Sequence, residues 1–379
     1  MDPDTVDAVL QFYPDRFRSR GFCPPAEGPG FSGAVVLRVE TDAGPYCLRG
    51  WPPEADAERI SGLHRLLQHV RSRGIDFVAV PVAAKDGGTL VFVRGRWWQL
   101  EPWMTGRADF SSQPSAARLK AAVTSLARLH VAMASFEPEG VDKRWFSSGI
   151  NAMAPAVSER FERLQSWTPE KLAMLEKGIQ GILKTEPRLN AAAARIMQGF
   201  RQCSPRVSRE LHAALPIRVT VQPCFRDVWH DHILFDGHGV SGIVDPAAAR
   251  TDTVAADISR LVGSLIADDA RAWDVPGAGY QSVRDLEVTL IAARQTVRPL
   301  AADARSWYTA LIAYQAVRPL SPEEMTLVGI LDRSGILLSG MTWLARRFFA
   351  NIRFEQPERV IARMEMIAKR LEVLARSIR

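Results

Sequence analysis

An α+β fold in two unequal parts is predicted by three features of the sequence. Short strand-like runs separated by turn residues fill the first hundred positions. Helical periodicity takes over from residue 114. Between about residues 217 and 244 the strand-type pattern returns once, inside the helical part. Together these describe a small antiparallel sheet carrying one helix, followed by a large helical region with a hairpin set into it.

The first strand is predicted over 34–39, with Asp42-Ala43-Gly44 as its turn and a return strand over 46–49. Pro52-Pro53 ends that hairpin. A helix over 54–73 follows, with Ile60, Leu63, Leu67 and Val70 on one face. Past Gly74, runs over 77–82 and 89–93 flank Lys85-Asp86-Gly87-Gly88, which reads as a hairpin turn. A last strand over 97–100 runs into Glu101-Pro102-Trp103. We place the boundary there: residues 1–103 form the sheet-bearing part and 104–379 the helical part. Helices are predicted over 114–134, 154–165, 169–184 and 188–202, and helix throughout from Thr253 to the end.

The composition of the 379 residues, 47% hydrophobic and 24% charged, is that of a globular chain and excludes a disordered or collagen-like one. Apolar runs are interrupted by Arg, Asp or Glu before reaching membrane-spanning length. Met1-Asp2-Pro3-Asp4 is acidic where a signal peptide is basic, so a cytoplasmic location is expected. Cys23, Cys47, Cys203 and Cys224 lack C-x-x-C spacing, which argues against zinc and against a disulfide framework. The net charge of +6 is concentrated at the C-terminus, where residues 346–379 hold nine Lys/Arg against four Glu. Val360, Met364, Ile367, Leu371, Leu374 and Ile378 recur there at helical spacing, so the tail reads as an amphipathic helix with its basic face in solvent rather than a nucleic-acid arm. His64, His69 and His130 read as packing or surface residues, and Trp97 and Trp98 as core.

One window carries chemistry. Cys224-Phe225-Arg226-Asp227-Val228-Trp229-His230-Asp231-His232 leads into a strand, and a tight turn at Asp236-Gly237 returns the chain to Asp245-Pro246. The hairpin lets His232 and Asp245 face one space, with Asp227 on the loop beside them. A carboxylate to orient and deprotonate a hydroxyl, next to ligands for a divalent cation, is what phosphoryl transfer requires.

This segment resembles the catalytic core of the aminoglycoside phosphotransferase/choline-kinase-like family, relatives of the protein kinases. The family pattern is H-G-D-x-x-x-x-N, a strand hairpin, an Asp, and a later Asp opening a helix. The resemblance implies a bilobal protein-kinase-like fold, with the sheet as N-lobe. It places Asp227 on the catalytic Asp, Asp245 on a metal-binding Asp, and Asp257 on the structural Asp. Two positions depart: Phe225-Arg226 replaces H-G, and His232 replaces the Asn metal ligand. Imidazole suits Mn²⁺ or Zn²⁺ better than Mg²⁺, so Mg²⁺ with Mn²⁺ as an option is the expected cofactor for ATP.

The same resemblance assigns parts of the N-lobe. Gly28-Pro29-Gly30-Phe31-Ser32-Gly33 stands where the family covers phosphates, which makes Gly30, Ser32 and Gly33 nucleotide-binding candidates. Arg49 stands where a Lys or Arg pairs the α/β-phosphates, and a guanidinium fork suits that role. Glu58, with Glu54 as a rival, is the candidate ion-pair partner of Arg49. Glu101-Pro102-Trp103 resembles the adenine-binding hinge. Proline has no N–H, so the expected donor is Trp103 and the expected acceptor the Glu101 carbonyl. The function expected is ATP-dependent transfer of the γ-phosphate to a hydroxyl of a small molecule. The alternative, motivated by His232, is a pseudokinase-like nucleotide-binding or scaffold protein with little or no turnover. Neither a membrane nor a nucleic acid is expected as partner.

Overall fold

A computed structural model describes residues 3–25, 33–266, 304–354 and 356–378. The chain opens with helix α1 (Pro3–Leu10), which the strand-like reading of this region passed over. Five strands then build one antiparallel sheet: β1 (Ser19–Cys23), β2 (Val35–Thr41), β3 (Gly44–Gly50), β4 (Val91–Val93) and β5 (Arg96–Pro102). Their order is β1-β2-β3-β5-β4, so β3 lies at the centre. Helix α2 (Ala57–Ser72) starts on an N-cap from Asp56, whose carboxylate accepts the Glu58 and Arg59 N–H groups.

Strand alternation gives this sheet two different faces. Leu48 and Leu100 are cross-strand partners and pack with Val6, Val9, Tyr13 and Phe17, the cluster under α1. Arg49 and Gln99 are the next pair and point the other way, toward α2. Glu101, two residues beyond Gln99, shares that face.

The predicted hairpin around Lys85–Gly88 is corrected. A turn does form there, with Ala84 N–H donating to Gly88 O at 2.7 Å. Residues 77–82, however, pair with no neighbouring strand as a ladder; Val78 makes a single parallel bridge to Ile243. The actual hairpin joins β4 to β5 through Arg94 and Gly95, with φ of 51° and 75°. Two successive positive φ values define the turn type that matches strand twist.

The helical part contains α3 (Ala116–Ala134), α4 (Pro155–Gln165), α5 (Pro169–Gly181) and α6 (Pro187–Ala214). Helix α6 runs twelve residues past its predicted end and through Pro205; the burial of Cys203, Val207 and Leu211 along one face holds it together where proline would otherwise break it. Two short strands absent from the sequence reading, β6 (Gly149–Met153) and β10 (Arg250–Asp252), flank β7 (Arg218–Cys224). The expected hairpin is β8 (Ile233–Asp236) with β9 (Gly239–Ile243). Helices α7 (Val254–Leu265), α8 (Ala304–Gln315), α9 (Pro322–Phe348) and α10 (Pro357–Ile378) complete the described chain.

Helix α9 begins with a capping box between Ser321 and Glu324. It is long and apolar enough to cross a membrane by length and composition, but 67% of its apolar window is buried inside the fold. It is a core helix. Helix α10 buries Val360, Met364, Ile367, Leu371 and Leu374 as its spacing predicts. Its basic face is not wholly in solvent, because Arg363 and Arg370 line a pocket against α7 and α9.

Candidate active site

The site forms where the five-stranded sheet meets the β8–β9 hairpin. The link between them, residues 103–107, is stitched to the hairpin: Arg107 and Phe235 exchange backbone hydrogen bonds at 2.9 and 3.0 Å, and Ser241 Oγ donates to Thr105 O at 2.7 Å. Gly106 has φ of 96°, and a Cβ there would lie 2.7 Å from the Phe235 carbonyl, so only glycine allows the approach.

From the sheet, Arg49 reaches the hairpin. Its Nη1 donates to Asp245 Oδ1 at 2.9 Å across 196 residues of chain. Asp245 sits just past β9 with φ of 58°, a left-handed conformation that acidic residues tolerate better than most. Burial alone would raise the Asp245 carboxyl, but Arg49 and His232 hold it below the usual carboxylate range. Burial opposes the charge on Arg49, yet Asp245 and Glu101 together keep its pKa raised. Arg49 is therefore charged and Asp245 ionised.

Two expectations about this corner are corrected. Glu58 is not the partner of Arg49: it lies on the outer side of α2, 61% exposed, and meets Arg144 at 3.4 Å. One residue turns the helix by about 100°, and the neighbour Arg59 faces the site instead, donating to the carbonyls of Ala247 and Ala249 at 2.7 and 3.3 Å. The second partner of Arg49 is the Glu101 side chain, 3.8 Å from Nε. Trp103 does not offer its N–H to adenine, because that group donates to Pro45 O at 3.2 Å. Strand β5 stays paired with β3 through Pro102, and the next N–H continues the ladder.

Glu101 belongs to a buried chain of polar groups. Gln99 Nε2 donates to Glu101 Oε2 at 2.7 Å, and Gln99 Oε1 accepts from Trp51 Nε1 at 2.6 Å. His64 of α2 lies 2.9 Å from the same Gln99 oxygen through Nε2, which must donate, and its Nδ1 is 2.7 Å from Thr89 Oγ1. Burial pushes His64 down to about 4, so it is neutral. Helix α2 thus reaches Arg49 through His64, Gln99 and Glu101 rather than through a single glutamate. Sequence reasoning missed this relay; the polar residues at 99 and 101, alternating with apolar Trp98 and Leu100 in a central strand, were its only sign.

The catalytic-loop segment is built on Asp257. That carboxylate is fully buried near the start of α7 and accepts the N–H groups of Phe225, at 2.8 Å, and of Arg226. His130 Nε2 holds its Oδ2 at 3.0 Å. This agrees with the structural role expected for Asp257, and gives His130 a buried packing role. Arg226 has φ of 64° and ties the loop to Asp252 and Glu159, at 2.8 and 2.6 Å. Asp227 follows, half exposed, with Arg260 Nε donating to its Oδ1 at 2.9 Å.

His232 stands between the Asp227 backbone carbonyl and the Asp245 carboxylate. Its Nδ1 is 2.8 Å from the Asp227 carbonyl, which can only accept, so Nδ1 carries the proton. Its Nε2 accepts the Trp229 indole N–H at 2.8 Å and lies 3.8 Å from Asp245 Oδ2. Burial lowers its pKa and keeps it neutral. The lone pair a cation would need is already taken, so the expected metal role of His232 is corrected to a positioning one. A divalent cation fits the hard oxygens of Asp245. Gly33, with φ of 75°, adopts the backbone suited to a phosphate-covering turn; Gly30 and Ser32 lie outside the described residues.

A sheet lobe and a helical lobe clasping an Arg–Asp pair beside a loop aspartate define a phosphotransferase of the kinase-like class. The chain matches the profile of the phosphotransferase enzyme family (APH) over residues 28–300 and belongs to that family. It is 26% identical to a homoserine kinase of Hyphomonas neptunium over 267 residues, 70% of each chain. Among solved structures it resembles spectinomycin phosphotransferase, in complex with ADP and spectinomycin, with a TM-score of 0.59, 9% identity and coverage of 98% of this chain and 99% of that one. It also resembles an amicoumacin kinase, in complex with AMP-PNP, Ca²⁺ and Ami, with a TM-score of 0.55, 13% identity and coverage of 98% and 94%.

Proposed function

We propose that this chain transfers the γ-phosphoryl group of ATP to a hydroxyl of a small molecule. The observation that carries the reading is the convergence of Arg49 on Asp245 beside Asp227. Arg49, oriented by Glu101, holds nucleotide phosphates, and the turn at Gly33 covers them. Asp245 holds the divalent cation, which neutralises phosphate charge when bound. With His232 withdrawn from the ligand set, the remaining donors are oxygens, which suit Mg²⁺ with Mn²⁺ as an alternative. Asp227 orients the acceptor hydroxyl. As the new O–P bond forms, the hydroxyl proton passes to its carboxylate and ADP departs. Positioning and charge neutralisation supply most of the catalysis.

We place the lobe boundary at residues 103–104, where β5 ends, and the protein in the cytoplasm. Relatives named as homoserine kinases make a hydroxylated amino acid the first acceptor to test, ahead of aminoglycosides.

The test is thermal stabilisation by ATP with and without Mg²⁺, followed by ADP release with acceptors. Asp227→Asn should lower turnover by about 10²- to 10⁴-fold, the usual contribution of a general base, while nucleotide affinity is retained. Unchanged turnover removes Asp227 from the chemistry. Stabilisation by Mg²⁺–ATP without ADP release from any acceptor favours the scaffold alternative.

A further inference from the structure

Beside Trp229 and Arg260 lies a pocket between α4, α7, α9 and α10 with a volume of about 40 Å³. That holds a group of carboxylate size rather than a whole ligand, since a single water needs about 10–15 Å³. Four arginines line it, Arg160, Arg260, Arg363 and Arg370, against a single lining carboxylate, Asp332. Asp332 is already used, because both its oxygens accept from Arg370 Nη2 at 2.8 and 3.0 Å. Arg260 spans the pocket and the catalytic loop, since it also donates to Asp227.

The other two arginines are half-buried without an ion-pair partner among the described residues. Arg160 donates to neutral acceptors, the Leu331 carbonyl and Ser334 Oγ. Arg363 lies 3.6 Å from the Trp229 ring centroid and 5.4 Å from that of Trp343, and makes no hydrogen bond within the described residues. Stacking uses the face of a guanidinium and leaves its N–H edge for an oxyanion. The cost of this arrangement is visible in the cations themselves: burial and the neighbouring Arg260 push Arg363 down to about 9, and burial pushes Arg160 down to about 10. Desolvating a cation without a paired anion is costly, and an incoming oxyanion offsets that cost.

We infer that the acceptor is an anionic hydroxyl compound, small and bearing a carboxylate or phosphate, whose charged end is held by Arg363 and Arg160 while its hydroxyl meets Asp227. This rests on the phosphotransfer reading and deepens it, since Arg260 of the pocket lining donates to the same aspartate. A polycationic aminoglycoside would meet a surplus of three positive charges in the lining. Sequence reasoning missed Arg363 because it counted the basic residues of α10 as a solvated face.

The experiment compares acceptors by thermal shift on the ATP-loaded protein and by ADP release. L-homoserine and L-serine form the carboxylate arm, glycerol 3-phosphate the phosphate arm, and choline and an aminoglycoside the cationic arm. One anionic arm should stabilise the protein and release ADP, and which arm does so identifies the anion. Arg363→Met should raise the KM for that acceptor by about tenfold or more, the scale of a lost charge-assisted hydrogen bond. The KM for ATP should hold, and Arg363→Lys should recover part of the loss. A melting curve of Arg363→Met without ligand checks its folding, and Arg160→Met provides a second variant. Response to the cationic arm alone, no response to either anionic arm, or an acceptor KM indifferent to both variants overturns the inference. Absence of ATP stabilisation in the unaltered protein is a different failure, that of the phosphotransfer reading.

Discussion

Glu101→Gln separates what holds this fold together from what aims Arg49. At 3.8 Å, and with an effective dielectric constant near 20, the attraction between Glu101 and Arg49 is worth about 4 kcal/mol before desolvation. Burial of the carboxylate works against it, and wins. Despite Arg49 and the Gln99 hydrogen bond, the Glu101 pKa is raised rather than lowered. The pair is therefore a poor source of stability. Glutamine keeps the size of the side chain and an oxygen to accept from Gln99, and Arg49 keeps Asp245. The variant should unfold in urea within about 1 kcal/mol of the parent. Nucleotide binding should suffer more. Without Glu101, Arg49 leans wholly on Asp245, at a cost of about tenfold in ATP affinity by titration. An ATP affinity and turnover equal to the parent's would refute the positioning role. A loss of several kcal/mol in stability would show instead that Glu101 is a structural ion.

His232→Ala removes the acceptor for the Trp229 indole, and with the His232 lone pair already used it should not raise the Mg²⁺ concentration needed for half-maximal activity; a rise of about tenfold would restore the ligand assignment. Asp252 is fully buried against Arg226, and burial pushes its carboxyl from 3.8 up to about 6. The folded state therefore binds the proton more tightly than the unfolded chain. Its contribution, about 3 kcal/mol, is present below the unfolded pKa and is lost as pH rises through about 6. Asp252→Asn should flatten that fall in a stability curve measured by urea melts between about pH 4 and 6, and a curve of unchanged slope would contradict the assignment.

What could be read in the chain followed from local spacing. The hairpin at Asp236-Gly237, the loop before it and the helix after it follow from residues within one stretch, and their order alone brings Asp227, Asp245 and Asp257 into one region. The stripe of α10 was equally legible, since five of its six apolar positions are buried and the sixth, Ile378, has a side chain outside the described residues. The hairpin at Lys85–Gly88 was misread because its turn is real and its partner strand is not; the glycine that mattered was Gly95.

Chemistry that depends on distant partners stood outside that reach. A carboxylate at 58 and a carboxylate at 101 look alike in sequence, and only the direction of α2 and the face of β5 decide that Glu101 meets Arg49 while Glu58 meets Arg144. The same holds for His232, whose residue type suggests a ligand until Trp229 is seen to occupy its lone pair. By itself the sequence determined the phosphoryl-transfer motif and the order of its elements, because periodicity and turn chemistry act over a few residues. The tertiary structure alone decided which charges are paired and which remain open, as at Arg363, because pairing is settled by packing between helices far apart in the chain.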